Sequence, residues 1–266
     1  GCVVDPLEVL PTPAVALAVR KEQAALGVVI TASHNPATDN GIKYFGPGGI
    51  KLTDAEESQI EQLMPSTRLG ASTGLLPRLD GTGNYRAVAE NLLPEPLSGW
   101  IIVSDMANGA TVHTSGPILR HYGADLRCLG DEPDGQNINA GVGSEHPEKM
   151  GEAVRLHGAR LGIAHDGDGD RCDLCDEMGM ALDGDELLTI LALYALSKGR
   201  LANRTLVVTV QSNLGVDAAV RSAGGCVLRT PVGDRYVIER MRAEGATLGG
   251  ESSGHVICAD VAPTGD

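Results

Sequence analysis

Short apolar runs alternate with amphipathic stretches along most of the chain. GVVITASHNP (27–36), IIVSDMANGA (101–110), LGIAHDGDGD (161–170) and LVVTVQSNLG (206–215) each open on apolar residues and close on small polar ones. Apolar runs of this length, bounded by turn residues, read as buried parallel strands. Between them, DAEESQIEQLM (54–64), HTSGPILRHYG (113–123), PEKMGEAVRLHG (147–158), DGDELLTILALYALSKG (183–199) and GVDAAVRSAGG (215–225) carry helical spacing. Thr53, Thr111 and Asp183 are suited to cap helices, and several of these helices run into glycine, as a left-handed C-cap requires. Strands alternating with helices predict an α/β architecture, with polar residues gathered at the carboxyl ends of strands. The two prolines of LLPEPLSG (92–99) predict a linker, and MGMALDGD (178–185) predicts a turn leading into a long apolar helix.

Composition narrows the picture. A chain of 266 residues can bury one large core or several smaller ones, and aromatics at 3% leave Ala, Val, Leu and Ile to fill them. The net charge of −14 argues against nucleic acid and against an anionic membrane surface, but leaves a small anionic substrate open. No apolar run approaches the roughly 20 residues that span a bilayer. The chain opens on Gly1 rather than methionine, which predicts that N-terminal residues are missing. The six cysteines (Cys2, Cys128, Cys172, Cys175, Cys226 and Cys258) are scattered. The lone C-x-x-C of Cys172 and Cys175 lacks the further ligands of a zinc site, and RCDLCDEMG reads as a strand entering a turn rather than the helix start of a redox pair. The cysteines are expected to be small core residues in a reducing, cytoplasmic compartment.

AHDGDGDR (164–171) is the strongest chemical signal. Asp166, Asp168 and Asp170 alternate with glycines, so a loop can converge three oxygens on one hard cation. Three like charges this close are unfavourable without a cation. A solvated acidic turn is the plain alternative. An EF-hand is a poor fit: Glu177 falls at position 12 counted from Asp166, but position 6 is Arg171, where the loop needs glycine. Mg²⁺ suits a site with few carboxylates that completes its shell with phosphate oxygen.

A serine closing an apolar run, as in TASHNP (31–36), is a nucleophile, a cap or loop filler. Ser33 and His34 are no dyad by adjacency, since neighbouring side chains diverge in extended chain, and G-x-S-x-G is absent. The combination of Ser33, the triple-Asp loop and a downstream Lys43 favours chemistry. A phosphorylated serine carries about −1.5 to −2 charges and needs a metal and cations around it. Alone, Lys43 reads as a surface lysine, His255 as a loop histidine, and Asp234 with Arg235 as a local ion pair. His113, His121, His146 and His157 read as structural or exposed.

TASHNP, AHDGDGDR and GGESSGH (249–255), in that order, closely resemble the α-D-phosphohexomutase superfamily. VLPTPAVA (9–16), DMANGAT (105–111), GQNINAGVGSEHPE (135–148) and PVGDRYVIERM (231–241) are most similar to its bacterial phosphoglucosamine mutases. The resemblance implies consecutive α/β domains with mixed, mainly parallel sheets and helices on both faces. It implies domain 1 over residues 1–93, domain 2 over 94–181 and domain 3 over 182–266. It further implies that Ser33 is a phosphoserine, and that Asp166, Asp168 and Asp170 hold one Mg²⁺ with a Ser33 phosphate oxygen as a further ligand. Lys43, His34 and Arg171 would lie at the transferring phosphoryl group, with Lys43 a candidate proton acceptor. Glu251 and Ser253 would bind sugar hydroxyls, with His255 close by. Gly233, Asp234 and Arg235 would form a loop beside the sugar. The implied reaction interconverts glucosamine 6-phosphate and glucosamine 1-phosphate, for amino-sugar and cell-wall synthesis, with a sugar 1,6-bisphosphate as activator. Mannose or glucose phosphates are alternative substrates, phosphatase activity is a third reading, and a non-catalytic metal- or sugar-phosphate-binding fragment is another. Against the resemblance, the chain lacks an FGTDGIRG-like start and a C-terminal phosphate-binding domain, so it is expected to bind Mg²⁺ but to turn over poorly.

Overall fold

The computed structural model describes residues 4–64 and 79–266, and strands alternate with helices over much of them, apart from β-strand runs such as β1–β3 and β6–β8; Cys2 lies outside the described residues. The described residues form three sheets, all mixed with helices.

The first sheet and its helices run α1 (Thr12–Lys21), β1 (Gly27–Thr31), β2 (Gly41–Gly46), β3 (Ile50–Lys51), α2 (Asp54–Leu63) and α3 (Gly81–Ala89). Helix α1 was not legible from periodicity, because Thr12 through Val19 are all buried and show no polar face. Its Ala14, Val15 and Val19 pack on Val29 of β1 and Phe45 of β2. The strand order is β1-β2-β3, and both pairings are antiparallel. This corrects the expectation of a buried parallel strand at 27–36. One face of β1 lies on α1, whereas Val28 and Ile30 on the other face are 48% and 75% exposed. In this ladder Lys43 pairs with Val29, so both face the α1 side, and Lys51 pairs with Phe45.

The second sheet runs β4 (Ile101–Asp105), α4 (Ser115–His121), β5 (Asp125–Leu129), α5 (Pro147–His157), β6 (Leu161–His165), β7 (Cys172–Cys175) and β8 (Ala181–Leu182). Its order is β5-β4-β6-β7-β8, parallel across the first three and antiparallel beyond. The third runs α6 (Gly184–Ser197), β9 (Thr205–Thr209), α7 (Leu214–Ser222), β10 (Cys226–Thr230), α8 (Asp234–Glu244), β11 (Leu248–Gly250) and β12 (Val256–Cys258). Its order is β10-β9-β11-β12, with β12 antiparallel. Every residue of β9 is buried. Leu206 and Val208 pack under α6 and α7, while Val207 packs under α8, so a continuous apolar run serves two faces.

Thr53 and Asp183 cap α2 and α6 through capping boxes with Glu56 and Glu186. Thr111 does not cap: it lies in a 3-10 turn (Ala110–His113), and its buried hydroxyl finds no partner. The 92–99 linker is pinned, since the Leu92 and Leu93 N–H groups donate to the Tyr122 hydroxyl. Cys175 is buried in β7, as expected of a core cysteine, but Cys226 is exposed at the start of β10.

Candidate active site

The turns that follow β1 and β6 meet. Ser33 stands in the first with φ +54°, a left-handed conformation rare for a residue with a side chain. Thr31 Oγ1 accepts the Ser33 N–H at 2.8 Å, and Asn139 Nδ2 donates to the carbonyls of Ser33 and Asn35, each at 2.9 Å. The turn is thus held from both sides, and the Ser33 hydroxyl donates to Asp166 Oδ2 at 3.0 Å. The approach is so close that a Cβ on Gly167 would sit 2.6 Å from the Ser33 carbonyl, which explains glycine in the D-G-D-G-D loop.

Asp166, Asp168 and Asp170 are all buried, and one oxygen from each lies within 4.8 Å of the others. Lys43 Nζ donates to Asp168 Oδ2 and to Asp170 Oδ2, both at 2.6 Å. Burial opposes the Lys43 charge, but Asp170 and Asp168 hold its pKa above the ordinary lysine value. Asp166, left without such a partner, is pushed up to about 7 by burial and by the Asp170 and Asp168 charges. Burial acts on Asp170 too, yet His255 and Lys43 hold its carboxyl below the ordinary range. Asp168 Oδ1 is buried without a hydrogen-bond partner. An orphaned carboxylate oxygen among crowded negative charges is what a hard divalent cation would satisfy, so the donor set fits Mg²⁺.

Cationic groups surround this loop. Arg171 donates to Glu145 Oε1 at 2.7 Å and lies 3.0 Å from His34 Nδ1. Burial and Arg171 lower the His34 pKa. His255 Nε2 is 3.1 Å from Asp170 Oδ1, and its Nδ1 is 3.4 Å from Glu251 Oε2. Burial opposes the His255 charge, but Asp170 raises its pKa on balance. Ser253 Oγ, exposed, is 3.2 Å from His255 Nδ1. The buried Glu251 accepts the Gly233 N–H at 2.9 Å. The Ser33 hydroxyl thus lies on the acid loop at Asp166, and the His255–Glu251 pair joins the same loop at Asp170.

Of the predicted residues, Ser33, His34, Lys43, the three aspartates, Arg171 and His255 come together around the acid loop, Glu251 and Ser253 adjoin His255, and Gly233 adjoins Glu251. Asp234 and Arg235 are placed differently. They open α8 rather than lie in a loop, Asp234 pairs with Lys51, and Arg235 pairs with Asp54 and Glu57. Only Gly233 remains in the turn, because the helix starts one residue later.

Several contributors escaped the sequence reading. Thr12 donates its hydroxyl to Asp168 Oδ2 at 2.7 Å and its N–H to the Asp168 carbonyl at 2.8 Å, fixing the acid loop on the start of α1. His165 spans the loop's ends: its Nδ1 lies 3.1 Å from the Arg171 carbonyl and its Nε2 3.0 Å from Ser115 Oγ. Asn139 and Glu145 come from GQNINAGVGSEHPE, and Thr12 from VLPTPAVA. Those segments carried family likeness but no local hint of a role. Lys51 sits on a two-residue strand with no pattern at all.

The chain matches family models for the phosphoglucomutase/phosphomannomutase α/β/α domains I, II and III over residues 1–70, 85–185 and 183–266. A phosphoglucosamine mutase from Cereibacter sphaeroides is 47% identical over 263 residues, covering 97% of this chain and 59% of the relative. The chain therefore spans about 59% of the length of such curated relatives. A solved phosphoglucomutase/phosphomannomutase family protein from Burkholderia thailandensis superposes with a TM-score of 0.83 at 24% identity, over 98% of this chain and 60% of that one. N-acetylphosphoglucosamine mutase of Aspergillus fumigatus, solved in complex with GlcNAc-6P and magnesium, shares the fold with a TM-score of 0.60 at 18% identity, over 92% of this chain and 64% of that one.

Proposed function

This chain belongs to the phosphoglucomutase/phosphomannomutase family, and from that premise we propose that the protein interconverts glucosamine 6-phosphate and glucosamine 1-phosphate. The 47% identity to a phosphoglucosamine mutase supports the amino-sugar substrate. The single observation that carries the chemistry is the Ser33 hydroxyl 3.0 Å from Asp166, within a three-carboxylate loop that Lys43 bridges.

In this reading Ser33 is phosphorylated by a sugar 1,6-bisphosphate. A hydroxyl oxygen of the bound hexosamine phosphate attacks phosphorus; the bond from phosphorus to Ser33 Oγ breaks as the bond to the sugar forms. The hydroxyl proton passes to a base drawn from Lys43, His34 or His255, and another group of this set delivers a proton to the departing Ser33 Oγ, which leaves as the serine hydroxyl. The bisphosphorylated sugar turns over in the site and returns its other phosphoryl group to Ser33 by the reverse step. Positioning and charge neutralisation dominate such transfers. Arg171 and Lys43 supply positive charge to the phosphoryl oxygens. Glu251 and Ser253 accept from and donate to sugar hydroxyls, and Gly233 orients Glu251. Asp166, Asp168 and Asp170 would hold Mg²⁺, which neutralises phosphate charge and offsets the carboxylates that otherwise keep Lys43 protonated. The proposed division into three parts is 1–93, 94–181 and 182–266; its last boundary falls within β8 (Ala181–Leu182) of the second sheet. A charged sugar phosphate suits a cytoplasmic setting, and no described helix is long and apolar enough to cross a membrane.

The test uses the full-length protein with Mg²⁺ and a trace of sugar 1,6-bisphosphate. Glucosamine 6-phosphate is compared with mannose and glucose phosphates. The expected result is a preference for glucosamine phosphate that Ser33→Ala abolishes. Full activity in Ser33→Ala, or preference for another hexose, would refute the respective part of the proposal.

A further inference from the structure

A charged seam joins the first sheet to α8. Lys51 Nζ donates to both carboxylate oxygens of Asp234 at 2.9 Å. The two side chains are 18% and 12% exposed, so the pair is largely withdrawn from water. Asp234 Oδ1 also accepts the Arg235 N–H at 2.8 Å. Arg235 in turn meets Asp54 and Glu57 at the start of α2, and the Tyr236 hydroxyl donates to Asp54 at 3.3 Å. The first turn of α8 is therefore gripped by the junction of β3 and α2. An acid at this end of a helix is further favoured by the helix dipole.

The residue before this turn is Gly233. Its φ of +127° belongs to glycine, and its N–H donates to Glu251 Oε1. The grip on Asp234 thus fixes the amide that orients Glu251, one peptide away. The other end of the grip is equally placed. Lys51 pairs with Phe45 in the ladder, two residues along β2 from Lys43. One small sheet therefore offers Lys43 to the acid loop and Lys51 to the sugar side.

The geometry points to Lys51 as a positioning residue: through Asp234 it docks the sheet that carries Ser33 and Lys43 onto the unit that carries Glu251 and His255, and so sets the phosphoryl donor against the sugar. This inference rests on the mutase reading for its kinetic consequence, but its structural half stands apart from it. Geometry of this kind matters because small misplacements of reacting groups cost large factors in rate.

The experiment takes the full-length protein with Lys51→Met and Lys51→Arg. For Lys51→Met, kcat on glucosamine 6-phosphate should fall by about tenfold or more, with Mg²⁺ affinity, measured by calorimetry, within about twofold of the parent. Hydrogen exchange in the segment 231–237 should speed up, and Lys51→Arg should restore both readings. A merely structural lysine would lower the unfolding midpoint while leaving kcat of the folded enzyme unchanged. Unchanged kcat in Lys51→Met, or unchanged exchange at 231–237, overturns the inference. If the parent shows no mutase activity on any hexose phosphate, the functional reading fails, and the exchange arm alone decides whether Lys51 grips the turn. Should Lys51→Met not fold, Lys51→Gln, which keeps a donor without the charge, goes through the same measurements.

Discussion

Lys43 and Lys51 sit on neighbouring strands of one sheet, and each side chain is 18% exposed. Their surroundings differ in charge count. Among the described residues Lys51 pairs with Asp234, one cation against one anion, and both oxygens of the acid are bonded. Lys43 meets Asp168 and Asp170, with Asp166 beside them; His255 also pairs with Asp170, so three clustered carboxylates still outnumber the two side-chain cations paired with them. Buried charge is costly unless compensated. The balanced pair is therefore complete as it stands, a joint between parts of the molecule. The unbalanced group is incomplete: Asp166 responds by holding its proton up to about 7, and Asp168 keeps an unpartnered oxygen. Two salt bridges of similar burial thus teach different lessons, one about assembly and the other about a donor set suited to a cation.

The comparison breaks most visibly if Lys43 can be removed cheaply. Lys43→Met should lower kcat by about a hundredfold or more, because in the proposed mechanism Lys43 supplies positive charge to the transferring phosphoryl group. Steady-state kinetics at saturating Mg²⁺ checks this, and a loss no larger than that of Lys51→Met would erase the distinction. Next comes Asp168→Asn, expected to weaken Mg²⁺ binding in a calorimetric titration by no less than the roughly ten- to hundredfold typical of losing a residue that only orients a ligand, since Asp168 is a proposed direct ligand. Asp234→Asn should leave that titration unchanged. It should instead cost about 1–3 kcal/mol of unfolding free energy in urea, the range for leaving a buried partner uncompensated.

The smallest expected effect is in pH dependence, and its sign separates the two lysines. Against the upward pull of burial, Lys51 holds the Asp234 carboxyl below its ordinary value. A depressed acid stabilises the fold above its unfolded pKa of about 3.9, and that contribution is lost as pH falls through the folded value. The stability gap between parent and Asp234→Asn should therefore narrow only below about pH 4. Lys43 is raised, so its contribution in metal-free protein is full below the unfolded lysine value of about 10.4 and fades only as pH rises through the folded value. Urea melts of metal-free parent and variants at acid, neutral and alkaline pH read both trends.

The sequence displayed the chemistry more openly than the architecture that presents it. D-G-D-G-D converges three acids by local spacing, and the Thr53 and Asp183 caps need only their own helices, so each was legible within a few residues. β1 was legible as a strand, but its antiparallel pairing and half-exposed face were not, because pairing partners and covering layers are set at long range. Its apolar run resembles that of β9, yet β9 is buried between α6, α7 and α8, while β1 pairs antiparallel and has α1 on one face. Helix α1 was hidden by being apolar all round, which removes the periodic signal. Lys51, Thr12 and His165 make their contacts across many residues or through backbone groups, and no side-chain pattern announces either.

The central claim is that Ser33 carries a phosphoryl group beside a cation-dependent acid loop. Intact mass of the full-length protein after incubation with glucosamine 1,6-bisphosphate tests it most directly, with Mg²⁺ or with a chelator, in parent and Ser33→Ala. The account predicts one added phosphoryl group in the parent with Mg²⁺, and none with chelator or in Ser33→Ala. Equal labelling of Ser33→Ala and parent, or equal labelling with and without Mg²⁺, would contradict it.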